Sequence, residues 1–395
     1  MKKSISAKIL LAVFGVFLAL LILEAVFRLV NIVKLKERLA PQRQGRPFAA
    51  DPNLYMNPVH ELFGWFFFPN NEFIFTSRRD EFRVRVKINS KGLRDREYPY
   101  EKGEGVFRIL VLGDSFSAAL QVPLEEIWHE IVERRLNGPA RTDTKVEIIN
   151  AGVPGWGTGQ QLLYYRYEGY KYNPDLILLQ FYLNDISDND ATIQEERPKL
   201  GKPFFVLNGE QLELQNFPYR RRVSSASPQW RYFFAPLVDK LYRVFFSDRE
   251  MRQVPHQLLY LAANYPPQDQ TRWRLTTRLI KELNTEATQH GARLAVLYIP
   301  ERRQVHPQIW DETLIRYPKA REVVWDLDKP NRSLGKFLEQ EGISYLDWTA
   351  SFRERAVKEG RPWYFLHDSH LNPEGNRLGS DLLYEWLVKE RRVPR

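Results

Sequence analysis

The sequence predicts an α/β protein in which a parallel sheet is covered by helices on both faces. From Val106 onward, short runs that are apolar throughout alternate with longer helical stretches, and strands without a polar face are typical of a sheet buried on both sides. The five runs are FRILVLG (107–113), VEIINAG (146–152), DLILLQFY (175–182), ARLAVLYI (292–299) and ISYLDW (343–348). A chain of 395 residues, 43% of them hydrophobic, can bury the core that such a sheet requires.

Longer stretches predict helices between and after these strands. They are PLEEIWHEIVERRL (123–136), GQQLLYYRYEGYKY (159–172), RWRLTTRLIKELNTEATQHG (272–291) and PEGNRLGSDLLYEWLVKE (373–390). Residues from 188 to about 270 fit this alternation poorly, and we interpret them as an insertion. Within the insertion, FFVLNGEQLEL (204–214) predicts a hairpin that turns at Asn208 and Gly209.

A small β-rich segment is predicted ahead of the α/β domain, over residues 39–100. Its first part, 39–57, is rich in proline and polar residues, which indicates a linker. Aromatic and polar residues then alternate, as in NEFIFTSRRDEFRVRVKIN (71–89). This alternation predicts a pair of strands around a turn at Ser77–Asp80.

Residues 1–38 predict a membrane anchor and its flank. The run ILLAVFGVFLALLIL (9–23) is apolar, and residues 24–33 extend it, with Glu24 and Arg28 spaced to pair near an interface. No small-residue cleavage site follows, so a single uncleaved helix is favoured over a signal peptide. Basic residues flank both ends of this run. We expect the short N-terminal tail inside the cytoplasm and the body outside it, although the count of basic residues favours the opposite orientation.

Composition narrows the classes of function. The formal net charge is +9, but 58 basic residues are interspersed with 49 acidic ones and no nucleic-acid-binding motif accompanies them, so nucleic acid is not an expected partner. The chain has no cysteine, which excludes disulfides, thiolate nucleophiles and cysteine metal sites. P-loop, dinucleotide-binding and G-x-S-x-G patterns do not occur.

The first candidate functional residue is Ser115, which follows the strand FRILVLG directly. Ligand chemistry in parallel α/β sheets gathers at the carboxyl ends of the strands, so this position favours a functional serine. A turn or helix N-cap serine is the structural alternative, because Asp and Ser also favour helix starts. Taken alone, Gly-Asp-Ser does not decide between the two.

Three further segments follow other predicted strands. They are the glycine-rich NAGVPGWGT (150–158), YLND (182–185) and FLHDSHLNPEG (365–375). Together with Ser115 they supply a weak nucleophile, backbone N–H groups, an amide donor, an imidazole and a carboxylate. These are the groups that acyl transfer requires.

The four segments together resemble the SGNH/GDSL hydrolases. The matching blocks are GDSF (113–116), NAGVPGWGT (150–158), LND (183–185) and DSH (368–370). The resemblance extends over about residues 85–390, and its lead-in NSKGLRDREYPYEKGEGVFRIL (89–110) is similar to a membrane-anchored bacterial branch. It implies a flavodoxin-like sheet, with residues 101–395 as the catalytic domain that includes the insertion.

The resemblance also implies the roles of individual residues. Ser115 is the nucleophile, His370 the general base and Asp368 the residue that orients His370. The Ser115 N–H, the Gly155 N–H and the Asn184 side chain form the oxyanion hole. Two departures stand out: Asp368 and His370 are two residues apart where the family usually has D-x-x-H, and Tyr182 occupies a position where glycine is common.

Several residues keep alternative interpretations. His367 is a rival base on the other side of Asp368, and both histidines are conceivable metal ligands, although no third ligand with recognisable spacing joins them. Residues 185–190 with Glu196 resemble a calcium loop that lacks its required glycine, so a solvated acidic loop is favoured. Trp156 is either a substrate platform or a packing residue, and residues 220–222 are either an anion site or a solvated arginine cluster.

The function expected from the sequence is a serine acyl-ester hydrolase that acts on an O-acylated glycan or lipid near the membrane through an acyl-enzyme. One alternative is an O-acyltransferase, such as an acetyltransferase, on a surface polysaccharide. Another is a glycan-binding assembly factor without turnover. We expect neither a cofactor nor a metal.

Overall fold

The computed structural model of the protein describes residues 48–49, 55–77, 79–138, 144–190, 201–220 and 254–394, together with Gly15. Apart from Gly15, these residues all belong to one compact unit, Arg46–Arg221 with Val254–Arg395. The predicted anchor, residues 9–33, lies outside the described residues except for Gly15. Within the described ranges no helix is long and apolar enough to cross a membrane.

The described part of the chain alternates strands and helices over most of its length. The strands are β1 (Phe48–Ala49), β2 (Met56–His60), β3 (Gly64–Phe67), β4 (Glu72–Thr76), β5 (Arg83–Lys87), β6 (Val106–Gly113), β7 (Lys145–Gly152), β8 (Leu176–Phe181), β9 (Phe204–Asn208), β10 (Gln211–Gln215), β11 (Arg293–Tyr298) and β12 (Ser344–Asp347). The α-helices are α1 (Ser115–Ala118), α2 (Trp128–Leu136), α3 (Thr158–Tyr167), α4 (Asp185–Asp188), α5 (Pro267–Gln289), α6 (Arg302–Val305), α7 (Pro307–Arg316), α8 (Lys329–Gln340), α9 (Thr349–Glu359) and α10 (Pro373–Lys389).

Five of these strands form the central sheet in the order β12-β11-β8-β6-β7, and every neighbouring pair is parallel. This order is the flavodoxin-like one, as the family resemblance implies. The chain moves from β6 outward to β7 and then back across to β8, so β6 and β8 are neighbours at the point where the strand order reverses. Ligand sites in open α/β sheets lie at this point, outside the carboxyl ends of the strands.

Helices cover both faces of the sheet, which confirms the predicted layering. Alternate residues of β6 divide between two hydrophobic clusters: Leu110 and Leu112 belong to one, Ile109 and Val111 to the other. Helices α3, α5 and α8 contribute to the first cluster, and α2, α9 and α10 to the second. The strands are apolar throughout because each of their two faces packs against a helical layer.

The region between β11 and α10 contains more helix than the sequence pattern predicts. Helices α7 and α8 begin with proline in the first turn, at Pro307 and Pro330. Proline is tolerated there because the first N–H groups of a helix have no partner within the helix. Prolines that resemble breaks between elements are therefore helix starts in this segment.

Both predicted hairpins form. Strands β4 and β5 pair antiparallel with Thr76 opposite Arg83, on either side of the predicted turn. Strands β9 and β10 pair with Asn208 opposite Gln211, and Gly209 has a φ of +61° in the turn. Asn-Gly favours such turns because both residues tolerate positive φ.

The small β segment shares a hydrophobic core with the central sheet through residues of strands β2 to β5. Phe66 stacks on Trp156, whose ring is fully buried, at a centroid distance of 5.6 Å. The indole N–H of Trp156 donates to the Trp65 carbonyl, and the Trp65 indole donates to the Pro154 carbonyl. Trp156 is therefore a packing residue that joins the glycine-rich segment to the β segment.

Candidate active site

Ser115 lies at the first position of α1, immediately beyond the carboxyl end of β6. Asp114 caps the helix: its carboxylate accepts the Phe116 N–H at 2.9 Å. Gly113 is required at the strand end because a Cβ there would collide with Ser117 and Gln180. The structural role that the sequence allows for Ser115 thus belongs to Asp114, and the Ser115 hydroxyl is left for another partner.

That partner is His370. The Ser115 Oγ lies 2.8 Å from the His370 Nε2, and the His370 Nδ1 lies 2.5 Å from an Asp368 carboxylate oxygen. The structure therefore brings together, as one hydrogen-bonded chain, three residues that the sequence places up to 255 positions apart. A nucleophile, a base and a carboxylate that orients the base are the groups of a serine triad.

The two-residue spacing of Asp368 and His370 works because the loop turns sharply. The Phe365 N–H donates to the His370 carbonyl at 2.8 Å, and Ser369 between the two triad residues has a φ of +75°. This left-handed backbone lets the imidazole meet the carboxylate that lies only two positions earlier. The departure from D-x-x-H is thus accommodated by the backbone of Ser369.

The Asp368 carboxyl is held in its charged form. Burial raises the pKa of this group, but the His370 imidazole, the His370 backbone N–H and the Gln121 side chain lower it, and the net pKa lies below its ordinary value. An ionised Asp368 favours the Nδ1–H tautomer of His370 and can stabilise an imidazolium at this position.

The Phe116 ring packs against the imidazole, and Tyr182 packs against Phe116. The Phe116 ring lies between Tyr182 and His370, with centroid distances of 4.1 Å and 4.8 Å. Neither ring is a predicted site residue. The departure from glycine at position 182 was the available signal, because the larger side chain fills space beside the candidate nucleophile.

The three predicted oxyanion donors have different environments. Among the described residues, the backbone N–H groups of Ser115 and Gly155 donate to no other group, and Gly155 has a φ of +76° that exposes its N–H in the turn after β7. The Asn184 Nδ2 donates to an Asp188 carboxylate oxygen at 2.8 Å. This bond uses one of the two amide N–H groups of Asn184, and the Asn184 side chain also hydrogen-bonds to the Asp114 carboxyl, whose pKa it lowers against the effect of burial.

Replacement of Asn184 by Ala tests the oxyanion assignment. The substitution should lower kcat for a small acyl ester by about 10²- to 10³-fold, because the transition state loses one preorganised donor. KM should change little, since the ground-state carbonyl gains less from that donor. Steady-state kinetics with p-nitrophenyl acetate measure both constants, and an unchanged kcat in a folded Asn184→Ala protein would contradict the assignment.

A group of buried carboxyls lies behind the oxyanion donors. Burial raises the pKa of Asp114 and of Asp185. The Asp185 carboxylate accepts from the Tyr182 N–H at 2.9 Å and from the Thr158 and Gln161 side chains. Asp185 therefore holds the turns after β7 and β8 together.

This arrangement does not match the calcium-loop interpretation. Asp190 pairs with Arg272 on α5, and Glu196 lies outside the described residues. Within the described ranges no cluster of three or more His, Asp or Glu residues is arranged to hold a metal ion. The acidic segment thus serves the protein's own packing.

His367, the rival base, contacts Arg79 and not Ser115. The His367 Nδ1 lies 2.9 Å from an Arg79 guanidinium nitrogen in the β4–β5 hairpin, on the exposed side of the loop. Only His370 of the two histidines hydrogen-bonds to Ser115. Of the arginine cluster at 220–222, Arg220 is exposed and the other two residues lie outside the described ranges.

The segment before β6 supports the nucleophile in a way that the sequence analysis missed. The buried Arg94 guanidinium donates to the carbonyls of Ala118, the last residue of α1, and of Ala119 and Val122. Asp95 accepts the Asn150 N–H, tying the same segment to the end of β7. The signal was present in the lead-in that accompanies the resemblance, where Arg94 and Asp95 are adjacent.

Comparison with known proteins finds similarity to SGNH hydrolase-like proteins and esterases. A family described as SGNH hydrolase-like domain, acetyltransferase AlgX, matches residues 256–392, which include Asp368 and His370. A curated arylesterase from Vibrio mimicus is 33% identical over 78 residues, 20% of this chain. The match spans only 38% of the length of that relative.

Solved structures show weaker similarity. A psychrotrophic esterase from Pseudoalteromonas sp. is 16% identical, with 72% of this chain and 99% of that one covered and a TM-score of 0.35. A lipolytic G-D-S-L family protein from Veillonella parvula is 12% identical, with 72% and 99% covered and a TM-score of 0.37. An acetylxylan esterase from Geobacillus stearothermophilus is 12% identical, with 70% and 92% covered and a TM-score of 0.37.

The sheet order and the hydrogen bonds define an α/β protein in which Ser115, His370 and Asp368 form one hydrogen-bonded chain beyond the carboxyl ends of its strands. The family match places its C-terminal part in the SGNH hydrolase-like group. This match and the similarity to an arylesterase support the SGNH/GDSL resemblance that the four sequence blocks predict.

Proposed function

We propose that the protein is a serine enzyme that cleaves an acyl ester through a covalent intermediate on Ser115. The observation that carries the proposal is the continuous hydrogen-bonded chain from Ser115 through His370 to Asp368, with distances of 2.8 Å and 2.5 Å. An N-cap serine or a structural histidine would not need this chain. The lowered pKa of Asp368 favours its charged form beside the ring where an imidazolium would form.

In the first half-reaction, the Ser115 Oγ attacks the ester carbonyl carbon while the His370 Nε2 accepts the hydroxyl proton. The N–H groups of Ser115 and Gly155 and the side-chain amide of Asn184 stabilise the oxyanion. Collapse of the tetrahedral intermediate breaks the ester C–O bond, and His370 returns the proton to the departing alkoxide. Ser115 then holds the acyl group.

In the second half-reaction, an acceptor hydroxyl loses its proton to His370 and attacks the acyl-enzyme, and the proton returns to the Ser115 Oγ as the acyl group leaves. With water as the acceptor, the protein is an ester hydrolase; the similarity to an arylesterase favours this version. With a sugar hydroxyl as the acceptor, it is an O-acyltransferase; the match to an acetyltransferase-type family favours that one.

For the substrate we propose an O-acylated glycan or lipid close to a membrane, with the catalytic domain outside the cytoplasm. The support is the apolar run at 9–23, which is long enough to anchor the chain when residues 24–33 extend it. A protein held at a membrane meets surface polysaccharides and lipids at high local concentration. A glycan-binding factor without turnover is the alternative that the complete triad disfavours.

A partition experiment distinguishes the two acceptors. The full-length protein is mixed with p-nitrophenyl acetate, with and without unacetylated neutral and acidic oligosaccharides, and both nitrophenol release and glycan mass are measured. A hydrolase releases nitrophenol and acetate at a rate that the glycans do not change. A transferase releases nitrophenol faster with the right glycan, which gains one acetyl group. Absence of release and of transfer under all conditions would overturn the proposed function.

A further inference from the structure

The β4–β5 hairpin contacts the loop that supplies the triad's Asp and His. The ring of Phe82 lies 5.0 Å from that of Phe365 in an edge-to-face arrangement, and it also stacks on Phe75 of β4 at 5.6 Å. Arg79 reaches His367 from the same turn. The end of the hairpin therefore packs against one side of the loop between Phe365 and His370.

Glu81 makes the most specific of these contacts. One of its carboxylate oxygens accepts the His367 N–H at 2.9 Å, and the other accepts the Asp368 N–H at 3.0 Å. The two oxygens of the Glu81 carboxylate thus bind the N–H groups of two successive residues, and the second of these is the triad residue Asp368. Hydrogen bonds from N–H groups to a carboxylate are stronger than those between neutral groups.

The loop needs an external support at this point. Ser369, next to Asp368, has a φ of +75°, and non-glycine residues adopt this conformation at a cost in free energy. The other bonds of the loop backbone lie to either side of the Asp368 N–H: the Phe365 N–H donates to the His370 carbonyl at 2.8 Å, the Ser369 N–H donates to the Phe365 carbonyl at 3.3 Å, and Arg302 donates to the Leu366 carbonyl at 2.8 Å. An attachment that fixes the Asp368 N–H therefore keeps the carboxylate within hydrogen-bond distance of the His370 Nδ1.

We propose that Glu81 is a positioning residue for the triad, through which the hairpin ahead of the α/β domain fixes the Asp368 loop. This proposal rests on the proposed function, because it assigns Glu81 a role in acyl turnover. Glu81 acts through the backbone of Asp368 and forms no bond to Ser115 or His370. Loss of the carboxylate frees the Asp368 peptide, lengthens the Asp368–His370 hydrogen bond and lowers the fraction of time in which His370 is aligned with Ser115.

Glu72 provides a matched control in the same hairpin. It lies at the start of β4, opposite Lys87, and pairs with Arg85 at 2.5 Å on the exposed face. Exposed ion pairs of this kind contribute little to stability. Glu72→Ala therefore removes a glutamate and an ion pair from the hairpin without touching the triad loop.

The test compares the full-length wild-type, Glu81→Ala, Glu81→Gln and Glu72→Ala proteins. With p-nitrophenyl acetate, Glu81→Ala should lower kcat by about 10- to 100-fold at similar KM, as expected for a displaced catalytic group. Glu81→Gln should recover part of the loss because its amide oxygen still accepts one N–H. Glu72→Ala should match the wild type, and circular dichroism with thermal melting should show that all four are folded.

A readout that does not depend on turnover separates this proposal from the proposed function. The 2.5 Å Asp368–His370 hydrogen bond should give a strongly downfield Nδ1–H proton resonance, which Glu81→Ala weakens or shifts and Glu72→Ala preserves. Equal kcat and equal resonances in Glu81→Ala and Glu72→Ala, or a rise in KM alone, would overturn the positioning role. A wild-type protein that shows the resonance, loses it in Glu81→Ala and yet turns over no ester would refute the proposed function and leave the positioning intact.

Discussion

Replacement of Ser115 by Ala is expected to eliminate the acyl-enzyme and to lower ester turnover by at least about 10⁴-fold, as loss of a triad member does. The reason is geometric: among the described residues, the Ser115 Oγ is the hydroxyl that lies within hydrogen-bond distance of the His370 Nε2. A fluorophosphonate probe should label the wild type at Ser115, because attack at phosphorus uses the same base and the same oxyanion donors. Mass spectrometry of the labelled peptide identifies the residue.

Ser117 is the matched control. It lies two residues further along α1, and its buried Oγ donates to the Gln180 side chain at 2.9 Å instead of to His370. Ser117→Ala should retain labelling and turnover while losing stability of about 1 kcal/mol for the lost hydrogen bond. Labelling that survives in Ser115→Ala, or disappears only in Ser117→Ala, would be incompatible with Ser115 as the nucleophile.

Much of this site could be predicted from the sequence, because the carboxyl ends of parallel strands lie at one edge of the sheet. Ser115, Gly155 and Asn184 follow β6, β7 and β8, whose carboxyl ends all lie on one side of the sheet. Residues far apart in the chain therefore meet without any specific prediction of contacts. The hairpin at Asn208 and Gly209 was equally predictable, because its turn chemistry is local.

The supporting residues could not be predicted from the sequence, because packing determines their partners. Glu81 and Asp368 are 287 positions apart, and nothing in an alternating strand pattern indicates that a hairpin ahead of the domain reaches the last loop. The same holds for the buried Arg94, whose partners are three backbone carbonyls, groups that every residue possesses. A side chain that bonds to backbone carbonyls does not require any particular amino acid as its partner, so the sequence does not reveal the contact.

The second large effect is expected on substitution of His370, which distinguishes it from His367 in the same loop. His370→Ala removes the group that accepts the Ser115 proton, so kcat for p-nitrophenyl acetate should fall by about 10²- to 10⁴-fold or more. Fluorophosphonate labelling should slow in parallel, because the same proton transfer precedes attack on the probe. Both are measured on the full-length protein under one set of conditions.

His367→Ala should cost far less. Its ring contacts Arg79 on the exposed side of the loop, while its backbone N–H, which Glu81 accepts, survives the substitution. The two variants remove the same side chain from positions three residues apart, so they differ in geometry and not in the chemistry removed. If His367→Ala is the more damaging of the two, the base has been assigned to the wrong histidine. If both are equally damaging in folded protein, the Arg79–His367 contact is part of the machinery that aligns Asp368 and not a peripheral contact.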